Sequence, residues 1–273
     1  MSRINNAFKN GKAFIAFITG GDPTIEKTKE FILEMIKAGA DLIEIGIPFS
    51  DPIAEGPVIQ EANNRALAAG TTVEKLFTLV ADLRKESTCE NIPLVFLTYA
   101  NPVFHYGMTT CAACGHAGYD AFFKRCAEVG LDGIIIPDLP FEEQPPVREA
   151  ASKYGIDLIS LIAPTSESRI KEIAKSASGF IYLVSSMGVT GIRSEITTDL
   201  GAITAAIKSV TSTPVAIGFG IHTTEQASQM SKIADGVIVG SAIVKIIAQY
   251  GQNAAPHVYN YVKGMKTVML EKT

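Results

Sequence analysis

The chain has 273 residues, of which 47% are hydrophobic and 19% are charged, enough apolar material for one large core. Its formal net charge of -4, with no Lys/Arg cluster longer than a pair, argues against binding of nucleic acid or of an anionic membrane surface. No apolar run reaches the ~20 residues of a membrane span, and the first residues show no secretory signal. We therefore expect a cytoplasmic protein that acts on a small molecule.

The four cysteines are too few and too unevenly spaced for a disulfide framework in a chain of this length, so we expect reduced thiols. Cys111, Cys114 and His116 form a CxxCxH pattern of the kind that zinc sites use, but no fourth ligand is evident. The Gly, Ala and Thr residues around them are typical of a loop insertion. We predict no metal site.

Short apolar runs alternate with longer amphipathic segments along the chain, a pattern typical of parallel strands joined by helices. The first connecting segment places Phe31 and Met35 on one helical face; it can begin at Asp22-Pro23 or at Thr24, and it can end at Gly39. The predicted strands, in chain order, are AFIAFIT, DLIEIGIP, PLVFLTY, DGIIIPD, IDLISLI, FIYLVSS, PVAIGFG and DGVIVGSA.

Eight strands that are apolar on both faces predict a closed (β/α)8 barrel. We expect an α/β fold, a single-domain TIM barrel over 1–273 with a short extra helix at its N-terminus. An open doubly wound sheet is the alternative, but ITGGDP after the first strand lacks the GxGxxG fingerprint. Three of the joins that lead into strands are alike, AGADLIEIG, VGLDGIIIPD and IADGVIVG, which indicates a repeated βα unit.

Glycines in the late loops predict an anion site. Gly218 and Gly220 follow the seventh predicted strand, and Gly240 and Ser241 follow the eighth. In a barrel the chemistry lies at these carboxyl ends, where glycines let backbone N–H groups approach an anion and a helix N-terminus adds its dipole. Gly191, after the sixth strand, is a further candidate. Each of these glycines taken singly would be an ordinary turn residue, but together they favour a phosphate.

Acidic residues form a second group of candidates. Glu44 interrupts the apolar second strand, Asp51 and Glu55 lie in the loop after it, and Asp138 ends the fourth strand. A carboxyl group in an apolar barrel has its charged form disfavoured, which suits proton transfer near neutral pH. The alternative for Glu44 is a structural role, in which it bonds to a buried hydroxyl or to the backbone.

What the sequence lacks narrows the reaction further. No lysine ends a predicted strand, which argues against Schiff-base chemistry, and the four histidines are too scattered for a metal site. Proton transfer by carboxyl groups on a phosphorylated substrate is the chemistry that remains.

Several motifs resemble those of the tryptophan synthase α subunit family over nearly the whole chain. They are FITGGDP, EIGIPFSDPIAEGPVIQEAN, LTYANPVFHYG, IIIPDLP, GVTG, GFGI and DGVIVGSAIVKII, in this order. The resemblance implies a lyase of tryptophan biosynthesis that splits indole-3-glycerol phosphate into indole and glyceraldehyde 3-phosphate, with no cofactor in this subunit. It also implies a partner, the β subunit, which uses pyridoxal phosphate to join indole to serine in an α2β2 complex.

The resemblance also implies roles for individual residues. Glu44 corresponds to the residue that moves protons at indole C3 and at the glycerol hydroxyl, and Glu55 to the acceptor of the indole N–H hydrogen bond. Tyr182 corresponds to an active-site tyrosine. The other residues carried over are Phe17, Leu97 and Phe219 in the apolar walls, Gly191, Gly220, Gly240 and Ser241 in the phosphate cradle, Thr190 as the threonine that engages the second acid when its loop closes, and Pro48, Asp51 and Asn101 facing the β subunit.

Two features depart from the family pattern. Glu55 stands where the family has aspartate, and a shift of about 1 Å in a catalytic group can cost on the order of 100-fold in rate. We expect an active enzyme whose rate this change can lower. The stretch 109–118 extends the connection after the third strand, on the face expected to meet the β subunit, so it can alter partner affinity.

Two other functions compete with this interpretation. The first is a catalytically weakened barrel that acts mainly as an allosteric partner of the β subunit, and Glu55 is the residue that favours it. The second is another phosphate-binding barrel that acts on an indole or aminosugar phosphate, such as a relative of indoleglycerol-phosphate synthase. It would require a lysine at a strand end, which the sequence lacks.

Overall fold

The computed structural model describes residues 2–110, 119–185, 199–218 and 220–270. Within these ranges nine parallel strands form one sheet, and each strand lies within one of the predicted apolar runs. The strands are β1 (Ala13–Thr19), β2 (Leu42–Gly46), β3 (Leu94–Leu97), β4 (Gly133–Ile135), β5 (Asp157–Leu158), β6 (Ser160–Ile162), β7 (Ile181–Val184), β8 (Val215–Gly218) and β9 (Gly236–Val239).

The fifth predicted run, IDLISLI, is the segment that closes the barrel. It is divided at Ile159 into β5, which pairs with β4, and β6, which pairs with β7. In the sheet order β5-β4-β3-β2-β1-β9-β8-β7-β6 the two ends are therefore one continuous stretch of chain. The predicted (β/α)8 barrel is confirmed, and the ninth strand arises because one run changes partner. An open doubly wound sheet is excluded, since its two edge strands would be separate.

The helices pack on the outside of the strands, against side chains that point away from the barrel axis. The first predicted helix is confirmed: the Thr24 hydroxyl accepts the Lys27 N–H at 3.2 Å at its start, and Gly39, with φ of 106°, follows its end. The α-helices of the described ranges are α1 (Ile25–Lys37), α2 (Pro57–Ala68), α3 (Val73–Leu83), α4 (Ala100–Thr110), α5 (Tyr119–Val129), α6 (Gln144–Lys153), α7 (Glu167–Lys175), α8 (Leu200–Lys208), α9 (Thr224–Ile233), α10 (Ser241–Tyr250) and α11 (Ala255–Leu270).

The amino end of the barrel is plugged by the predicted short N-terminal helix. It is a 3-10 helix over Ile4–Phe8, and its Ile4 side chain is fully buried in the apolar cluster inside the ring of strands. The Phe8 ring lies 6.0 Å from the Phe180 ring, centroid to centroid. Because this end is filled by side chains, the open space of the barrel lies at the opposite end.

The aspartate repeated in the three similar joins has a structural cause. Each one precedes a strand, and its carboxylate accepts the backbone N–H of a residue in the neighbouring strand. Its own N–H donates to the carbonyl of that same residue, so each aspartate ties two strands together at their amino ends. The pairs are Asp41 with Phe14 (2.7 and 2.9 Å), Asp132 with Leu94 (2.9 and 2.9 Å) and Asp235 with Val215 (2.7 and 2.8 Å).

A basic side chain neutralises each of these aspartates: Lys266 for Asp41, Lys208 for Asp235 and Arg84 for Asp132. The carboxylate of Asp132, 2% exposed, also accepts from Arg3 at 3.0 Å, which anchors the N-terminal helix to the barrel. The repeated unit that the sequence indicated is therefore a strand-pinning device at the amino end.

Replacing Asp132 by alanine should lower the free energy of unfolding by about 3–5 kcal/mol, because Arg84 and the Leu94 N–H would both lose a buried acceptor. The measurement is urea denaturation at pH 7. The matched control is Asp82→Ala, which removes an exposed ion pair with Lys85 and should leave the urea midpoint nearly unchanged. Equal effects of the two substitutions would show that the pinning aspartate is energetically ordinary.

Candidate functional site

A cavity opens at the carboxyl ends of the strands. Its walls are mostly apolar, and the barrel brings together side chains from the first and the last parts of the chain. The predicted site residues that line it are Glu44, Glu55, Tyr182, Phe17, Leu97, Gly220, Gly240 and Ser241.

Glu44 lies in the middle of β2, beside Phe17 of β1 in the strand register, and its side chain points into the barrel. It is 1% exposed, and within the described ranges neither of its carboxyl oxygens has a hydrogen-bond partner. Burial alone raises the pKa of Glu44 to about 8, because no donor or positive charge compensates for the lost water. The structural alternative, a hydrogen bond from Glu44 to a hydroxyl or to the backbone, is not seen among the described residues.

Glu55 lies in the loop between β2 and α2 and is 5% exposed. Burial raises the pKa of Glu55 to about 7, and a hydrogen bond from Asn63 Nδ2 to its Oε2, at 2.7 Å, opposes that rise. The residue before it, Ala54, donates its N–H to the Tyr99 hydroxyl at 3.1 Å, and the Tyr99 ring packs on Phe49 at 5.4 Å. The loop that carries Glu55 is thus fastened to the end of β3.

Tyr182 lies in β7, 5% exposed, and burial followed by the nearby charge of Glu44 raises the pKa of its phenol, so it is a neutral donor at neutral pH. A Cβ at Gly218 would lie 2.5 Å from the Tyr182 hydroxyl oxygen, so this glycine leaves space for the phenol ring. Gly218 is not part of the cavity lining. Gly218 therefore has a role in packing, and its contribution to a phosphate site stays a prediction.

The apolar wall includes the predicted Phe17 and Leu97, and Phe17 in turn packs on two glycines. A Cβ at Gly46 would lie 2.7 Å from the Phe17 ring, and one at Gly240 would lie 3.2 Å from it. Sequence reasoning missed two wall residues of the strands, Leu161 and Ile238, because strands that are apolar on both faces do not reveal which side chains point inward. Outside the strands it also missed Ala54, Ile59, Pro137 and Ile221.

Asn63 was also missed, although the sequence carries a signal for it. It lies in α2 one helical turn after Ile59 and next to the buried Ala62, so a polar residue falls on the apolar face of an amphipathic helix. Such a residue normally needs a buried partner, which here is Glu55.

At one rim of the cavity lie Gly220, with φ of 85°, and Gly240 and Ser241 at the N-terminus of α10. The first N–H groups of a helix have no partner within it, and the helix dipole favours negative charge there. This rim can hold an anionic group. Thr190, Gly191 and Phe219, predicted for the same site, lie outside the described residues.

Other candidates lie away from the cavity. Asp138 accepts the Ala100 N–H at 2.9 Å at the start of α4, which is a helix-capping role. Among the residues predicted to face a partner, Asp51 and Asn101 are exposed and Pro48 is buried. Ile53, between Asp51 and Glu55, is 70% exposed, an unusual position for a large apolar side chain.

Within the described ranges, no group of three or more His, Cys, Asp or Glu residues could hold a metal ion. Cys111, Cys114 and His116 lie outside those ranges. No helix in the described part of the chain is long and apolar enough to cross a membrane.

The similarity to known proteins extends over nearly the whole chain. A family profile described as tryptophan synthase alpha chain matches residues 4–269. The tryptophan synthase alpha chain of Lacticaseibacillus casei is 50% identical over 269 residues, which covers 98% of this chain and 96% of that protein. That of Lactiplantibacillus plantarum is 48% identical and covers 100% of this chain and 98% of that protein.

Solved structures agree with the sequence relatives. The tryptophan synthase alpha chain of Legionella pneumophila has a TM-score of 0.85 and 33% identity, covering 98% of this chain and 97% of that one. A chain from the tryptophan synthase a2b2 complex of Pyrococcus furiosus has a TM-score of 0.81 and 34% identity, covering 94% and 98%.

The buried carboxyl of Glu44 should make the stability of the protein fall as the pH rises. Its pKa is about 8 in the folded protein, against 4.5 when it is unperturbed, so between these values the unfolded chain loses the proton and the folded chain keeps it. Across that range Glu44→Gln should gain stability relative to the parent, by up to the order of 5 kcal/mol. Urea denaturation of both proteins from pH 5 to 8.5 measures this, and a difference that does not change with pH would contradict it.

Gly218→Ala should lower the free energy of unfolding by about 1–3 kcal/mol, because its Cβ would displace the Tyr182 ring. The matched control is Gly264→Ala in α11, where no atom lies within 4 Å of the added Cβ, and where alanine should raise stability by about 0.5–1 kcal/mol. Thermal unfolding of the two variants gives the comparison. A destabilised Gly264→Ala or a neutral Gly218→Ala would contradict the packing argument.

Proposed function

The chain belongs to the tryptophan synthase alpha chain family, and we propose that it cleaves indole-3-glycerol phosphate into indole and glyceraldehyde 3-phosphate, as a carbon–carbon lyase. The observation that carries this proposal is Glu44, a buried carboxyl group without a hydrogen-bond partner among the described residues, in the wall of an apolar cavity. A pKa of about 8 keeps Glu44 protonated at neutral pH while leaving the proton easy to transfer.

Glu44 acts first as an acid and then as a base. Its carboxyl proton goes to C3 of the indole ring. This leaves a positive charge centred on the ring nitrogen and a carboxylate on Glu44. The carboxylate then removes the proton of the hydroxyl on the carbon attached to C3. The O–H electrons form the aldehyde C=O, the carbon–carbon bond breaks, and its electrons restore the indole ring. The cycle returns Glu44 to its protonated form, so no other proton donor is needed.

Glu55 stabilises the intermediate of this reaction. Its carboxylate accepts a hydrogen bond from the ring N–H, an interaction that strengthens as the ring becomes positive, and such transition-state stabilisation raises the rate. Ionisation is required for this role, and the Glu55 pKa of about 7 makes the charged form available from neutral pH upward.

The remaining cavity residues bind the substrate. Phe17 and Leu97 offer an apolar wall of the kind that suits an indole ring, and Tyr182 offers a neutral hydroxyl donor beside the acids. We assign the phosphate of the substrate to the rim formed by Gly220, Gly240 and Ser241, whose helix N-terminus favours an anion. Thr190, Gly191 and Phe219 stay predicted contributors to the same site.

A second subunit is part of the proposal. The structural relative from Pyrococcus furiosus belongs to an a2b2 complex, and we propose that this chain likewise binds a β subunit that holds pyridoxal phosphate and takes up the indole. The exposed Asp51 and Asn101 are the proposed contacts, and Ile53 between the loop acids adds apolar surface. We propose that the cleavage itself uses side chains alone, that 1–273 act as one domain, and that the enzyme works in the cytoplasm.

Glu44→Gln should lower the rate of indole release from indole-3-glycerol phosphate by at least about 100-fold, since it removes the only proton carrier of the mechanism. In the parent enzyme kcat/KM should peak between pH 7 and 8, because Glu55 must be ionised and Glu44 protonated. The assay is run with and without β subunit, and the matched control is Glu61→Gln, an exposed glutamate of α2.

The same assay separates the competing functions. An unchanged rate in Glu44→Gln would refute its role as proton carrier. A parent complex that releases no indole would favour the allosteric-partner function, and recovery by Glu55→Asp would locate the fault in the longer side chain.

A further inference from the structure

Helix α2 holds Glu55 at two points. The side chain of Gln60 donates from Nε2 to the Glu55 carbonyl at 2.7 Å, and Asn63 donates from Nδ2 to the Glu55 carboxylate oxygen Oε2 at 2.7 Å. The helix itself is fixed to the end of β1, because Arg65 makes a bidentate ion pair with the buried Asp22 at 2.9 and 2.8 Å. Glu55 is therefore held by two hydrogen bonds from a helix that is itself fixed to the barrel.

The carboxylate of a glutamate needs such a hydrogen bond if its orientation is to be fixed. Its last torsion joins an sp3 to an sp2 carbon and has a broad, roughly two-fold energy profile, so the chain alone does not fix the plane of the two oxygens. Asn63 is 3% exposed and Glu55 is 5% exposed, so water does not compete well for this contact. One buried donor is enough to select one orientation.

We propose that Asn63 is a positioning residue, which commits one oxygen of the Glu55 carboxylate to α2 and presents the other to the ring N–H of the substrate. This rests on the proposed function, in which that N–H is the group Glu55 recognises. Asn63 touches no reacting atom, and it acts through the orientation and the charge state of Glu55.

The charge state follows from the chemistry of the amide. An NH2 group is a neutral donor that favours the ionised form of the carboxyl it contacts, so it opposes the effect of burial on Glu55. An amide does this without adding a positive charge that would repel the developing cation of the indole ring. A lysine or arginine at the same position would ionise Glu55 more fully but would weaken its interaction with the intermediate.

The test replaces Asn63 by leucine, which is of similar size and has no donor. Without the amide the pKa of Glu55 should rise, so the acidic limb of the kcat/KM profile for indole release should move upward by ~0.5 pH unit or more, and kcat at pH 7 should fall several-fold. The matched control is Asn64→Leu, which removes an exposed amide one residue further along α2 and should change neither quantity.

A direct measurement keeps the test independent of activity and of this one variant. The titration of the Glu55 carboxyl carbon, followed by 13C NMR with a Glu55→Gln protein for assignment, should show the same upward shift. Asn63→Ser, whose side chain is too short to reach Glu55, replaces the leucine variant if that one does not fold. In a Glu55→Gln background Asn63→Leu should have no further effect on the acidic limb.

The outcomes are distinct. If the parent enzyme releases indole but neither the acidic limb nor the carboxyl titration moves in the Asn63 variants, the positioning role is wrong and the proposed function stands. If Asn63→Leu lowers only the unfolding temperature, Asn63 is a structural residue alone. If the parent releases no indole while the Glu55 titration still moves, Asn63 controls Glu55 and the proposed reaction is wrong.

Discussion

The desolvation of one carboxyl group is the constraint on which the site depends. Glu44 is buried away from water and has no hydrogen-bond partner in the described part of the chain, so its pKa is raised to about 8. This is a stability cost that a marginally stable protein tolerates only when the surrounding strands leave the side chain no alternative position. The ladders of β1 and β3 on either side of β2 supply that rigidity, and Phe17 fills the space beside the carboxyl.

The two ends of the barrel divide the work of stability and chemistry. At the amino end, each of three aspartates is bound by a backbone N–H group of the preceding strand and by a basic side chain; they are Asp41, Asp132 and Asp235. At the carboxyl end, Glu44 has neither kind of partner among the described residues. The same functional group is therefore a structural fastener where its charge is satisfied, and a proton carrier where it is not. Sequence alone distinguishes the two cases only by position relative to the strand: before it or within it.

Much of the fold and part of the site could be predicted, for identifiable reasons. Apolar runs of strand length fixed the barrel, because parallel strands covered on both sides have few other solutions. Glu44 stood out because a carboxyl group is costly in such a run. The change of partner at Ile159 and the packing of Tyr182 over Gly218 could not be predicted, since both depend on which elements meet in space.

Glu44 and Glu55 show why residue type does not determine role at such a site. Both are buried glutamates on the same cavity, and burial raises the pKa of each, to about 8 and to about 7. The lower value belongs to Glu55, which is less deeply buried than Glu44 and also accepts a hydrogen bond from Asn63. One acid is therefore mainly protonated and the other partly ionised at the same pH, which is the separation that a reaction needs when it must first donate a proton and then stabilise a positive charge. Unequal burial sets most of that separation, and Asn63 adds to it from a helix that begins two residues after Glu55, so the position of α2 in the barrel wall contributes to the chemistry of the two acids.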